Sequence, residues 1–167
     1  MVSSKVGPSG GMSGEPFQDD LIADNERVTA VKIRAGIFID GIQLVVEGGT
    51  STRELAAHGG NGGTERTVFL DDDEFVTEVS GRYGIFVDSI AIRTNKNTLH
   101  KFGGDGGQAD YIYQAPEGFE IVGFHGQEGN ILPDSPLTAV LDSIGLGDLD
   151  ETISFIVAIG VILRRRK

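Results

Sequence analysis

The chain contains no cysteine, so neither a disulfide framework nor a thiolate metal site is available to it, a condition that suits a reducing compartment. Basic residues are scarce: 14 Lys and Arg against 25 Asp and Glu leave a formal charge of −11, which repels a polyanion and excludes nucleic acid as a natural partner. Long apolar runs are missing too. The longest, Ile153–Leu163, spans eleven apolar or small residues before RRRK, well short of the roughly 20 needed to cross a bilayer as a helix. It reads as a buried strand or an interfacial anchor, and membrane contact is left open. The opening MVSSKVGPSGG has no apolar stretch of the kind a secretory leader needs, so the expected location is cytoplasmic, or secreted without a classical signal peptide.

Catalytic signatures are absent as well. No nucleophile elbow and no convincing acid–base pair of carboxylates can be found, and an enzyme reading would need a carboxylate pair in a cleft. His58, His100 and His125 lie near glycine-rich stretches without ligand spacing, and loop-edge packing is their expected role. The acidic run Asp71–Glu74 lacks the glycine and alternating ligands of a calcium loop and reads as a solvated turn. GGNGG and GGDGG are not followed by the Lys-Ser/Thr of a phosphate cradle. No cofactor or metal is expected.

What is present is glycine, 25 in 167 residues and clustered, about twice the usual share. Between the clusters lie short runs rich in β-branched and aromatic residues with alternating apolar positions: VTAVKIRAG, DGIQLVV, RTVFL, EFVTEVSG, DSIAIRT, YIYQA and FEIVGFHG. These are strand patterns. Only Asp134–Ile144 and the region after Gly147 carry a weak helical signal.

The chain also repeats itself. GIFID at Gly36–Asp40 is nearly copied as GIFVD at Gly84–Asp88. Three glycine clusters, Gly7–Gly11, Gly59–Gly63 and Gly103–Gly107, are each followed by an apolar-Asp-x-Ile step, at Ile39–Ile42, Val87–Ile90 and Leu141–Ile144. Units of this length suit one four-stranded sheet each. Three such sheets can bury their inner faces around a pseudo-threefold axis, whereas a propeller normally wants at least four blades. The expected fold is therefore all-β, a β-prism of three four-stranded antiparallel sheets with pseudo-threefold symmetry, within one domain.

The opening GPSGG with PFQDD, the phrase VSGRYG…VDSIAIRTNKNT, the central FGGDGG, and IVGFHGQEG followed by LDSIG together resemble the jacalin-related lectins, over roughly Gly7 to Gly145. Repetition of both motifs makes the chain similar to the multi-site members. The resemblance implies an extension at 1–6, a jacalin-like domain at 7–147 and a C-terminal segment at 148–167. It further implies a metal-independent lectin whose aspartate loops lie beside the glycine loop of the next repeat. Carried over, that arrangement pairs Asp40 with Gly62 and Gly63, Asp88 with Gly106 and Gly107, and Asp142 with Gly10 and Gly11. The amides of Phe38, Ile39, Phe86 and Val87 would donate to the ligand. Phe38 and Phe86 would either pack on the sugar or fill the core.

The chemistry suits a hexose, whose hydroxyls need both acceptors and donors. An ionised Asp accepts from two hydroxyls, bare main chain supplies N–H, and glycine permits close approach. In this family the galactose binders depend on a cleaved, free glycine amine, and Gly10 lies inside an N-terminal extension. The implied partners are therefore mannose-type oligosaccharides or glycoproteins, with several weak sites and homo-oligomerisation open. Two alternatives accompany this reading. A prism that has lost sugar binding could serve as a structural or interaction module. In the third repeat, repeat order assigns the acid to Asp142, but AIGVILRRR also resembles the family's final strand. On that register Val157 would take the acid's place, with an insertion between Gly129 and Phe155.

Overall fold

The computed structural model describes residues 3–131 and 153–167. Among these there is no helix, and thirteen strands follow one another: β1 Ser3–Gly10, β2 Glu15–Gln18, β3 Glu26–Ala35, β4 Ile39–Gly48, β5 Ser51–Glu54, β6 His58–Gly59, β7 Thr64–Phe69, β8 Val76–Tyr83, β9 Val87–Thr94, β10 Leu99–Gly103, β11 Ala109–Gln114, β12 Phe119–Ile131 and β13 Ile153–Arg165. The weak helical signal after Gly147 is overruled, since the chain from Ile153 onward is strand. Asp134–Ile144 lies outside the described residues.

All pairings are antiparallel, and they join the strands into two sheets where the repeat pattern suggests three. The smaller runs β5-β4-β3-β7, with β6 also on β4. The larger runs β1-β13-β12-β8-β9-β10, with β2 on β12 and β11 on β8. Its two halves meet at one residue pair, Ile121 with Val76.

Alternation in the sequence decides which faces are buried. In β4, Ile42, Leu44 and Val46 point inward, and in β9 Ile90 and Ile92 do the same. β13 differs: every residue from Phe155 to Leu163 is buried, because this strand lies between β1 and β12 and is covered on both faces. That accounts for its unbroken apolar run. From Ile153 on, the C-terminal segment thus supplies a central strand of the body.

Three phenylalanines close one end of the core. Ring centroids of Phe38 and Phe86 are 5.1 Å apart, of Phe86 and Phe155 5.0 Å, and of Phe38 and Phe155 5.6 Å. Phe38 and Phe86 each precede a repeated aspartate by two positions, and Phe155 precedes Val157 by two.

Candidate functional site

The β3–β4 and β8–β9 hairpins carry the repeated pentapeptide at their tips. Gly36 N–H donates to the carbonyl of Phe38 (3.0 Å), and Gly84 N–H to that of Phe86 (2.8 Å), closing each tip tightly. Asp40 and Asp88 then stand second in β4 and β9, each only 6% exposed.

The glycine loops lie over these residues. Gly60 N–H donates to the main-chain carbonyl of Asp40 (2.7 Å) and Gly104 N–H to that of Asp88 (3.0 Å). The bare main chain further along faces the carboxylates. A β-carbon at Gly62 would fall 2.6 Å from Asp40 Oδ2, and one at Gly63 2.7 Å from Oδ1. At Gly106 and Gly107 the corresponding distances to Asp88 Oδ2 and Oδ1 are 2.8 and 3.3 Å. Side chains there would fill the space the carboxylates face. Gly63 and Gly107 also adopt φ of +69° and +111°, where other residues are strained.

Neither carboxylate accepts a hydrogen bond from any side chain or loop amide among the described residues. Burial raises the Asp40 carboxyl from its ordinary value to about 6, with nearby Arg34 opposing the shift. Asp88 is raised for the same reason, opposed by Arg82. Burial without donors disfavours the charged form. Among the described residues nothing donates to these two acceptors.

Two residues the sequence reading passed over complete each loop. Arg34 Nε donates to the carbonyl of Gly62 (3.0 Å), and Arg82 Nη2 to that of Gly107 (3.1 Å). Each guanidinium is paired on its other side, Arg34 with Glu65 (3.7 Å) and Arg82 with Asp110 (2.6 Å). The signal was present, because the duplicated unit is longer than five residues: RAGIFID and RYGIFVD share the arginine.

The third position is built on the same main chain with a different side chain. Gly11 N–H donates to the carbonyl of Val157 (2.9 Å), as Gly60 and Gly104 do to the carbonyls of the two aspartates. Gly10 and Gly11 therefore match Gly59–Gly60 and Gly103–Gly104, and the counterparts of Gly62–Gly63 are Ser13 and Gly14. This corrects the register assigned from GPSGG. The side chain beside Gly11 is Val157, whose Cγ1 would lie 2.9 Å from an added β-carbon, and it offers no acceptor. Asp142 lies outside the described residues.

Contacts between neighbouring loops link the three positions. A β-carbon at Gly60 would fall 2.4 Å from the carbonyl oxygen of Ser154, one at Gly104 2.5 Å from that of Ile37, and one at Gly11 2.4 Å from that of Ile85. The Phe38 and Phe86 rings face each other and Phe155, so they hold the tips together. Ile39 and Val87 side chains are fully buried, leaving only their main chain to a ligand.

The remaining candidates have structural roles. His58 is buried, 2.7 Å from Asp19 through Nε2 and stacked on Phe17 at 4.3 Å. His125 Nε2 donates to the carbonyl of Val6 (2.9 Å), and burial lowers its pKa. In the acidic run, Glu74 accepts from Thr94 Oγ1 (2.6 Å) while Lys96 pairs with Asp71 and Asp73 at 3.0 and 2.8 Å. Among the described residues no three His, Asp or Glu converge as a metal site would require.

An all-antiparallel body that carries paired aspartate and glycine loops at its hairpin tips has the architecture of a β-prism lectin domain. Residues 6–134 match the family model described as a Jacalin-like lectin domain, and the chain belongs to that family, whose members bind carbohydrate and are not enzymes. Among solved structures, wild-type Malaysian banana lectin is similar at 24% identity, covering 99% of this chain and 100% of its own, with a TM-score of 0.72. A mannose-binding jacalin-related lectin from Ananas comosus is 22% identical over 98% of each chain, with a TM-score of 0.71. The artocarpin–mannotriose complex is 20% identical over 97% of each chain, with a TM-score of 0.73. At these identities the likeness is one of fold. No curated protein matches the chain.

Proposed function

We propose that this protein is a metal-independent lectin for mannose-type glycans with two sugar sites, one at Asp40 with Gly62 and Gly63, the other at Asp88 with Gly106 and Gly107. The observation that carries this reading is the pair of buried carboxylates without a donor among the described residues, each facing bare glycine main chain. A hexose would supply two hydroxyl donors to each acid, and loop amides, those of Phe38 and Ile39 or Phe86 and Val87, would donate to ring or hydroxyl oxygens. The mannose preference is supported by the ligands of the fold relatives, one a mannose-binding lectin and another complexed with mannotriose.

The third position is read as silent, because Val157 cannot accept a hydroxyl. The finer architecture belongs to the same reading: if the single Ile121–Val76 bridge is set aside and β5 and β6 are counted as one broken strand, three four-stranded units remain around the Phe38–Phe86–Phe155 cluster.

Isothermal titration with methyl α-mannoside tests the proposal. The wild-type chain should bind two equivalents at about millimolar affinity, about 4 kcal/mol per site. Asp40→Asn and Asp88→Asn should each remove one equivalent, and the double variant should bind none while unfolding no earlier than wild type. Undiminished binding by the double variant would overturn the assignment.

A further inference from the structure

The two hairpin sites differ in what lies beside them. Next to the Asp88 site, the outer face of β8, β9 and β10 holds a cleft of about 460 Å³, within the size range of small-molecule sites. Its rim includes Gly103, Gly104 and Asp105 from the second glycine loop, and also Arg82, whose guanidinium braces Gly107. The cleft and the proposed sugar site thus share one loop as a common wall.

Side-chain volume creates the cleft. Ser80 lies opposite Ala91 across β8 and β9, and both side chains are small. The matching pair on the first sheet is Lys32 and Gln43, larger side chains that reach Glu54 (2.8 Å) and the carbonyl of Leu55 (2.9 Å). A separate hollow on the first sheet, near Thr29 and Phe69, touches none of Gly59–Gly63.

The walls carry polar groups with no partner among the described residues. Among the described residues, the Ser80 hydroxyl, the Lys101 ammonium and the Asp105 carboxylate make no hydrogen bond or ion pair. Ser89 Oγ accepts from Arg82 N–H (3.0 Å), which leaves its own proton free to donate. A neutral mixture of donors and acceptors over a small-residue floor matches the hydroxyl pattern of a sugar better than an anion or an apolar group.

We propose that the Asp88 site continues into this cleft, where Ser80, Ser89, Lys101 and Asp105 hold a second glycosyl residue. The chain would then pair an oligosaccharide site at Asp88 with a monosaccharide site at Asp40. This extension rests on the reading of Asp88 as a sugar site.

The test uses the full chain carrying Asp40→Asn, titrated with methyl α-mannoside and with mannotriose. The trisaccharide should bind about tenfold tighter than the monosaccharide. Adding Ser80→Lys and Ala91→Gln, the pair the first sheet already carries, should reduce that ratio to about one and leave methyl mannoside affinity unchanged. Should that variant fold poorly, Lys101→Ala with Asp105→Asn, both exposed, should lower the ratio at least threefold. A ratio that survives the filled or the exposed variant, or is absent from Asp40→Asn, overturns the extension alone. If folded Asp40→Asn binds neither sugar, the Asp88 site itself fails and the extension with it.

Discussion

At the scale of single residues, the decisive feature is that Asp40 is buried with no donor among the described residues. Its folded pKa of about 6 lies above the ordinary value of 3.8. Between those values the unfolded chain has released its proton while the folded chain keeps it, so stability falls as pH rises through this window. Above it the charge remains a cost, reduced because the side chain keeps a small solvent edge. Asp40→Asn should therefore raise stability at pH 7.5 by about 1–2 kcal/mol, measured by chemical denaturation, even as it removes a sugar site. Binding has the opposite pH dependence. On the proposed assignment, sugar hydroxyls would donate to the ionised acid and pull its pKa down, so affinity at this site should rise with pH up to about 6 and level off. Titrations of Asp88→Asn from pH 5 to 8 would show it, and a flat profile would count against a carboxylate acceptor.

At the scale of elements, each site is a hairpin tip joined to a glycine loop, and the loop's lack of side chains is a requirement of the space. Gly62→Ala and Gly106→Ala place a methyl 2.6 and 2.8 Å from a carboxylate oxygen. Each should cost at least tenfold in affinity at its own site, about 1.4 kcal/mol, and leave the other unchanged, as monosaccharide titration can resolve. Gly63→Ala adds backbone strain at φ +69° and should also lower stability by about 1 kcal/mol. The loops were legible because their parts are contiguous: GIFID, GIFVD, GGNGG and GGDGG can each be read as local strings. Arg34 and Arg82 were legible in principle, lying two positions before each repeat, yet their role depends on a bond to a loop 28 or 25 residues away.

For the whole molecule, the Phe38–Phe86–Phe155 cluster couples the tips. Phe155 is 3% exposed, and Phe155→Ala should destabilise the fold by about 3–5 kcal/mol, seen as a lower denaturation midpoint. It should also weaken binding at both sites, because both tips lean on that ring. The two proposed sites on one body would allow cross-linking of branched glycans, where avidity multiplies weak contacts by about 10² to 10⁴. Either Asp40→Asn or Asp88→Asn alone should abolish agglutination by a single chain while half the monosaccharide binding survives. Persistent agglutination by a single-site variant would point to more than one chain per particle.

The amino-acid string by itself determined the all-β class, the lectin family resemblance and the two contiguous aspartate loops, because strand alternation, tight tips and glycine clusters are local properties. Tertiary structure alone placed Val157 beside Gly11. Gly129 and Phe155 are far apart in sequence, and only the pairing of β12 with β13 makes them neighbours. The His58–Asp19 pair, separated by 39 residues, was hidden for the same reason. Which side chains share a site is set by backbone hydrogen bonds between distant strands, and spacing along the chain carries no record of that pairing.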